Sequence, residues 1–120
     1  MKNLIAFFEI PVTDFSRSVD FYQAIFGVEL VVTECGNEKM ACFVQDGQTA
    51  GAISYAPDFK PSEHGVLIHF NCEDIDRSIR QVLEHGGGIA IPKTKIQAEG
   101  KGYFAVFTDP AGNRIGLYTD

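Results

Sequence analysis

Two residues with acid–base side chains, Glu9 and His69, lie inside apolar runs of this 120-residue chain, 60 positions apart. Successive side chains of a strand point to opposite faces, so Glu9 faces away from Phe8 and His69 faces away from Phe70. A carboxylate and an imidazole in an apolar-walled cavity can act as general acid and base. Two other interpretations stay open. Glu9 can pair with His69 or Arg114 for structural reasons alone, or Glu9 and His69 can be two ligands of a metal ion.

An internal repeat places Glu9 and His69 at equivalent positions. A shift of 60 residues superimposes an aspartate, an arginine, a serine and a glycine of the first half on the same types in the second: Asp14, Arg17, Ser18 and Gly27 on Asp74, Arg77, Ser78 and Gly87. Each half predicts a strand, a capped helix and three further strands, which makes the chain α+β with the order β-α-β-β-β twice. We therefore expect a single domain with module one at residues 1–56, a connector at 57–65 and module two at 66–120.

The predicted elements follow from apolar runs and turn residues. Aspartates at 14 and 74 predict helix starts, and glycines at 27 and 86–88 predict helix ends. Alternating or apolar runs between glycine-containing turns predict the strands. These lie at residues 4–12, 28–33, 40–45 and 51–55 in module one, and at 66–72, 89–92, 103–108 and 114–118 in module two.

Composition excludes several classes of function. The net charge is −6 and no basic cluster is present, which argues against nucleic-acid binding. No apolar run is long enough for a membrane-spanning helix, and no secretory leader is recognisable. The three cysteines lack CxxC spacing, which argues against disulfides and structural zinc and favours the cytoplasm.

Three stretches of the chain resemble the vicinal oxygen chelate superfamily, which includes glyoxalase I, extradiol dioxygenases and the bleomycin- and fosfomycin-resistance proteins. The stretches are residues 8–22, the pair Phe26-Gly27, and residues 108–115 with the sequence Thr-Asp-Pro-Ala-Gly-Asn-Arg-Ile. The resemblance implies the glyoxalase/bleomycin resistance-like fold. In that fold two tandem modules contribute curled mixed sheets that wrap a cavity, helices cover the outer faces, and homodimers are common.

The resemblance also implies where a metal would bind. Metal-dependent members hold one divalent ion with four ligands, two from each module. Those positions fall on Phe7, Ala52, Leu67 and Gly116 in this sequence. None of these side chains has a donor atom, whereas a divalent ion needs several nitrogen or oxygen ligands. We therefore expect neither the family metal nor another cofactor.

The remaining candidates would line the cavity rather than react. Arg114 can clamp a carboxylate or phosphate of a ligand, or it can extend into solvent. Aromatic residues can line the cavity or simply fill it. The predicted ligand-binding set consists of Phe7, Ala52, Leu67, Asn71, Tyr103, Arg114, Gly116 and Tyr118.

The sequence thus favours a cytoplasmic, dimeric protein that binds a small organic molecule between its modules. It could sequester or sense that molecule, or it could be a metal-free acid–base enzyme of the lyase or isomerase type with Glu9 and His69 as catalytic residues. The alternative is a metal-dependent enzyme similar to lactoylglutathione lyase or to the dioxygenases. No nucleic acid or membrane is expected as a partner.

Overall fold

The computed structural model of this protein describes residues 3–120, in which regular elements occur in two successive groups. The first group consists of β1 (Phe8–Pro11), α1 (Phe15–Phe26), β2 (Val31–Cys35), β3 (Glu38–Gln45) and β4 (Gln48–Tyr55). The second consists of β5 (His69–Asn71), α2 (Ile75–Glu84), β6 (Gly88–Lys95), β7 (Tyr103–Thr108) and β8 (Arg114–Thr119). The predicted α+β class and the doubled β-α-β-β-β order are therefore confirmed.

Both helices begin at the aspartates that the sequence predicts as N-caps. The Asp14 side chain accepts a hydrogen bond from the Arg17 N–H at 3.2 Å, and the Asp74 side chain accepts one from the Arg77 N–H at 3.0 Å. Gly27 ends α1 with a φ of 62°, a left-handed conformation that glycine adopts at little cost. Within the described residues neither helix is long and apolar enough to cross a membrane.

Each module forms its own four-stranded mixed sheet. The strand order is β1-β4-β3-β2 in the first sheet and β5-β8-β7-β6 in the second. The first strand of each module runs parallel to the last strand, and the other pairs are antiparallel. Consequently β1 and β5 are edge strands of two separate sheets.

Most strands differ from their predicted bounds by a few residues, and the differences at β2 and β5 have identifiable consequences. β2 begins at Val31 rather than at residue 28, because the Leu30 N–H donates to Gln23 Oε1 of α1 at 2.9 Å and Leu30 is buried in the core. The apolar run 66–72 predicts a longer strand than β5, which pairs with β8 only over His69–Asn71. Phe7 and Leu67 therefore precede their strands instead of lying within them.

The helix-covered faces of the two sheets meet in one hydrophobic core. Phe21 of α1 contacts Phe107 of β7 with ring centroids 5.8 Å apart, and Phe43 of β3 lies 5.2 Å from Phe70 of β5. A domain of about 60 residues buries a small share of its surface and is only marginally stable, and a shared core adds to that burial. The helix-free face of each sheet is the face that points away from this core.

A buried polar network, called the junction below, connects the modules beside this core. Asp109 is 3% exposed and accepts hydrogen bonds from the Tyr22 hydroxyl at 2.7 Å and from the Asn113 N–H at 2.9 Å. Asn113 Nδ2 donates to Asp109 Oδ2 at 3.0 Å and to the Pro11 carbonyl at 2.7 Å. Burial and the neighbouring Asp109 carboxylate raise the pKa of Tyr22 well above its usual value. The Asp-Pro-x-Gly-Asn sequence thus holds module two against module one.

Candidate functional site

The helix-free face of module one carries Glu9 beside a small residue. Glu9 of β1 is directly paired with Ala52 of β4, and the Ser54 hydroxyl donates to Glu9 Oε1 at 2.8 Å. Ala52 is buried although it lies outside the common core. Met40 of β3 pairs with Ser54 and completes this face, which borders a pocket of about 220 Å³. The carboxylate is exposed and is oriented by a hydroxyl.

The helix-free face of module two carries His69 in the equivalent place. His69 of β5 is directly paired with Gly116 of β8, and a Cβ atom at position 116 would overlap the imidazole. The ring therefore occupies the space that the missing side chain leaves. It also contacts the Phe104 ring edge-to-face, with centroids 6.3 Å apart and planes at 74°. Glycine at 116 is thus a condition for this orientation of His69.

The same arrangement recurs in both modules. In each sheet a polar residue of the first strand pairs with a small residue of the last strand: Glu9 with Ala52, and His69 with Gly116. Ala52 and Gly116 are two of the four positions at which the family resemblance places metal ligands. In each module the polar side chain of the first strand thus lies beside a small residue of the last strand.

The structure corrects one expectation about Glu9 and His69. Their equivalence under the repeat suggests neighbouring strands, but β1 and β5 belong to different sheets. Glu9 lines the small pocket of module one, whereas His69 borders a larger groove between the modules. The reason is that the modules pack through the side chains of their helix-covered faces, so β1 and β5 are not hydrogen-bonded to each other. Within one chain the two residues do not form a pair.

The residues present do not fit the metal ion of metal-dependent family members. Phe7 and Leu67 are 53% and 42% exposed and offer only carbon, as do Ala52 and Gly116. Across residues 3–120 no group of three or more histidine, cysteine, aspartate or glutamate side chains is arranged to hold a metal.

The other predicted ligand-binding residues divide between two places. Asn71 and Tyr118 pair in register on the helix-free face of module two, one step beyond His69. The Tyr118 hydroxyl donates to Asp120 Oδ1 at 2.9 Å and accepts from the Gly102 N–H at 3.3 Å, which fixes the phenol. Arg114 is exposed at the start of β8.

Tyr103 lies away from this face, contrary to expectation. It precedes Ala105 by two residues and so shares the helix-covered side of β7. Its ring lies 5.0 Å from Lys93 Nζ and 5.5 Å from Lys95 Nζ. Lys95 Nζ in turn donates to the Lys101 carbonyl at 2.6 Å, a hydrogen bond between the two ends of the β6–β7 loop. Strand alternation alone could have placed Tyr103, because Phe104 is its neighbour on the other face.

Sequence reasoning did not identify Ser54 as a member of the site, and it named Phe104 only as an aromatic residue that could line the cavity or fill it. Ser54 follows Ala52 by two residues and therefore shares its face, a signal that alternation provides. The contact between Phe104 and His69 could be predicted only from the register of β7 against β8, which the sequence does not show. The three cysteines are free, and burial raises the pKa of the Cys72 thiol. A thiol with a raised pKa is a poor nucleophile near neutral pH.

The fold and these faces define an α+β protein built from two tandem modules. Residues 4–117 match the family model described as the Glyoxalase/Bleomycin resistance protein/Dioxygenase superfamily. The chain therefore belongs to this superfamily, as the sequence motifs indicate.

Relatives and solved structures agree with this assignment. "Anthracycline biosynthesis protein DnrV" of Streptomyces peucetius is 30% identical over 127 residues, covering 94% of this chain and 46% of that protein. The chain thus spans about half the length of the curated relatives it matches. A superfamily member from Sphaerobacter thermophilus superimposes with a TM-score of 0.73 at 25% identity over 100% of both chains. Fosfomycin resistance protein FosX from Mesorhizobium loti gives 0.68 at 18% identity, covering 100% of this chain and 94% of that one, which shows the fold alone.

Proposed function

We propose that this chain binds a small organic molecule at a site formed by two copies of the chain, without the family metal. The observation that carries the proposal is the repeated pairing of a polar residue with a small one: Glu9 with Ala52 and His69 with Gly116. A small residue on the last strand lets the polar side chain of the first strand lie over it and stay exposed, and exposed polar groups in a site fix the orientation of a ligand. In the proposed site, the module-one face of one copy supplies Glu9 and the module-two face of the other copy supplies His69.

Exposed apolar side chains next to β1 and β5 support a homodimer. Leu4 and Ile5 are 99% and 67% exposed before β1, and Val66 is 89% exposed before β5, where Phe7 and Leu67 are also exposed. Contiguous exposed apolar surface marks interaction sites. In a twofold dimer the module-one surface of each copy contacts the module-two surface of the other copy. The two contacts are equivalent, so no surface is left for further copies to join. This arrangement brings Glu9 of one copy toward His69 of the second.

Two versions of the function differ in chemistry. As a binding protein, the dimer sequesters or senses its ligand. As an enzyme of the lyase or isomerase type, Glu9 and His69 transfer protons on the bound molecule and Arg114 orients it. A planar polycyclic compound suits the apolar faces, and the name of the relative DnrV points to anthracyclines as the first ligands to test. The free cysteines favour a cytoplasmic location.

Chemical cross-linking tests the shared site without knowledge of the ligand. Chains carrying Glu9→Cys and chains carrying His69→Cys, each with the three native cysteines replaced by serine, are mixed and treated with a short bis-maleimide. We expect covalent dimers that contain one chain of each kind. Glu99→Cys, in the β6–β7 loop, replaces Glu9→Cys as the control partner. A monomer in sedimentation velocity, or cross-linking no faster than the control, contradicts the proposal.

Ligand binding and turnover separate the two versions. An anthracycline is titrated against the wild type and Glu9→Gln by fluorescence, and its conversion is followed by mass spectrometry. Retained affinity with lost turnover in Glu9→Gln supports the enzyme, whereas binding without turnover in the wild type supports the binding protein.

Metal analysis tests the metal-dependent alternative, an enzyme similar to lactoylglutathione lyase or to the dioxygenases. The carbon side chains at Phe7, Ala52, Leu67 and Gly116 argue against it. We expect substoichiometric metal in protein purified without chelator. Stoichiometric zinc, nickel, manganese or iron would overturn the metal-free proposal.

A further inference from the structure

A second concave surface, separate from the Glu9 face, lies between the two modules of a single chain. This inter-module groove encloses about 850 Å³, within the range of roughly 300–1,000 Å³ of small-molecule sites. One wall is the C-terminal end of α1 with residues 28 and 29, and the other is β5 with the start of α2. The groove is large enough for a drug-sized molecule.

The floor of the groove is aromatic. Four phenylalanines line it, and Phe70 lies at their centre. Its ring centroid is 4.5 Å from that of Phe26, 5.2 Å from that of Phe43 and 5.6 Å from that of Phe8. Phe8, Phe26 and Phe70 are only partly buried, so their rings remain accessible from the groove. Aromatic rings attract both flat ring systems and cations, the latter through the negative faces of their π-systems.

The rim of the groove is negative. It carries three carboxylates, Glu29, Glu73 and Asp74, against the single guanidinium of Arg77. The carbonyl end of α1 opens onto the same rim, and its last turn has no basic residue to offset the negative end of the helix dipole. At the opposite wall the positive end of α2 is already capped by Asp74. The C-terminal end of α1 and the rim carboxylates therefore favour a positive ligand.

We propose that the inter-module groove, which His69 and Asn71 also border, is a binding site for an aromatic organic cation that does not involve Glu9. The flat part of such a ligand packs against Phe26 and Phe70. Its positive group lies at the rim near Glu29 and Glu73. The site is complete within one chain, so it does not require the dimer.

Fluorescence titration with two probes of opposite charge tests this proposal. 9-Aminoacridine is a planar cation at neutral pH, and 1-anilinonaphthalene-8-sulfonate is an anion of similar size. We expect saturable 9-aminoacridine binding by the full chain and at least tenfold weaker binding in the double variant Glu29→Gln/Glu73→Gln. Both replaced residues are exposed, so the variant should fold normally.

The matched control is Glu63→Gln/Glu99→Gln, which changes the net charge by the same amount at exposed positions outside the groove. We expect its affinity for 9-aminoacridine to equal that of the wild type. Equal weakening in both double variants would mean that only overall charge matters, and it would overturn the proposal. Tighter binding of the anion that depends on Phe26, tested with Phe26→Leu, would also overturn it.

Glu9→Gln separates this site from the one shared between copies, because Glu9 does not line the groove. We expect Glu9→Gln to leave 9-aminoacridine binding unchanged. If Glu9→Gln weakens binding and Glu29→Gln/Glu73→Gln does not, the probe occupies the shared site and the groove proposal is wrong. If the two copies do not cross-link but 9-aminoacridine binding still depends on Glu29 and Glu73, the shared site is wrong and the groove site is supported.

Discussion

The junction and the helix-free faces use polar residues in opposite ways. At the junction Asp109 is buried and accepts hydrogen bonds from Tyr22 and Asn113, so its polar groups are saturated. On the helix-free faces Glu9 and His69 are exposed, and each is paired with a small residue. Saturated buried groups stabilise one arrangement of the modules, whereas exposed polar groups can contact a ligand. The most recognisable motif of the chain is therefore structural, and its candidate site carries no motif.

Replacement of the junction carboxylate should have the largest effect on stability. Asp109→Asn places an amide N–H₂ against the donors of Tyr22 and Asn113 and removes charge-assisted hydrogen bonds. We expect a loss of about 3 kcal/mol in the free energy of unfolding. Urea denaturation near neutral pH measures it, with Asp58→Asn on the exposed connector as the control. A loss no greater than in the control would show that the network does not hold the modules together.

Tyr22→Phe removes one hydrogen bond of the junction and should cost about 1 kcal/mol. The pKa of Tyr22 is raised in the folded protein, so its stabilising contribution is full below its usual pKa of about 10 and is lost as the pH rises above that value. The difference between wild type and variant should therefore be constant below about pH 9 and shrink as the pH rises from about 10 to about 12. A difference that stays constant over that range would argue against the buried phenol as its source.

A methyl group on the module-two face should alter the site with little loss of stability. In Gly116→Ala the new Cβ overlaps the His69 ring, an exposed side chain that can move. We expect a change in unfolding free energy within about 1 kcal/mol. The His69 ring-proton NMR signals should shift as the ring leaves Phe104. Gly65→Ala, which meets no atom within 4 Å, is the control. Unshifted His69 signals would mean that Gly116 does not position the ring.

The smallest effect on stability is expected at Glu9. In Glu9→Gln the amide oxygen still accepts from the Ser54 hydroxyl, and the site is exposed, so the free energy of unfolding should change by less than about 0.5 kcal/mol. Thermal unfolding of Glu9→Gln beside Ser54→Ala measures this change. A large loss in Glu9→Gln would place Glu9 with the junction as a structural residue.

The fold was predictable because it depends on local signals that the chain repeats. Asp14, Asp74 and Gly27 specify helix ends through their own backbone and side-chain geometry. The alternation around Glu9 and His69 correctly indicates which side of each strand leaves the core. Prediction is wrong where a contact outside the strand sets its first residue. At Leu30 the backbone N–H donates to the Gln23 side chain of α1, so β2 begins one residue later.

The site was predictable only one face at a time. Glu9 and His69 could be found by type and by their equivalence in the repeat. Alternation places Ser54 on the face of Ala52, whereas the contact of Phe104 with His69 depends on which strands pair and in which register. The expectation that Glu9 and His69 lie on neighbouring strands was wrong. The repeat shows only that the two residues hold equivalent positions in their modules, whereas the packing of the modules sets the distance between them.

The sequence by itself determined the two modules, the faces of their strands and the absence of donor atoms at positions 7, 52, 67 and 116. These depend on residue type and on periodicity, both of which are local. Only the tertiary structure decided that the modules share a core through their helix-covered faces and that Glu9 and His69 lie in different sheets and border different pockets. The physical reason is burial: a module of this size buries little apolar surface by itself, so the large aromatic residues of both modules meet in one core.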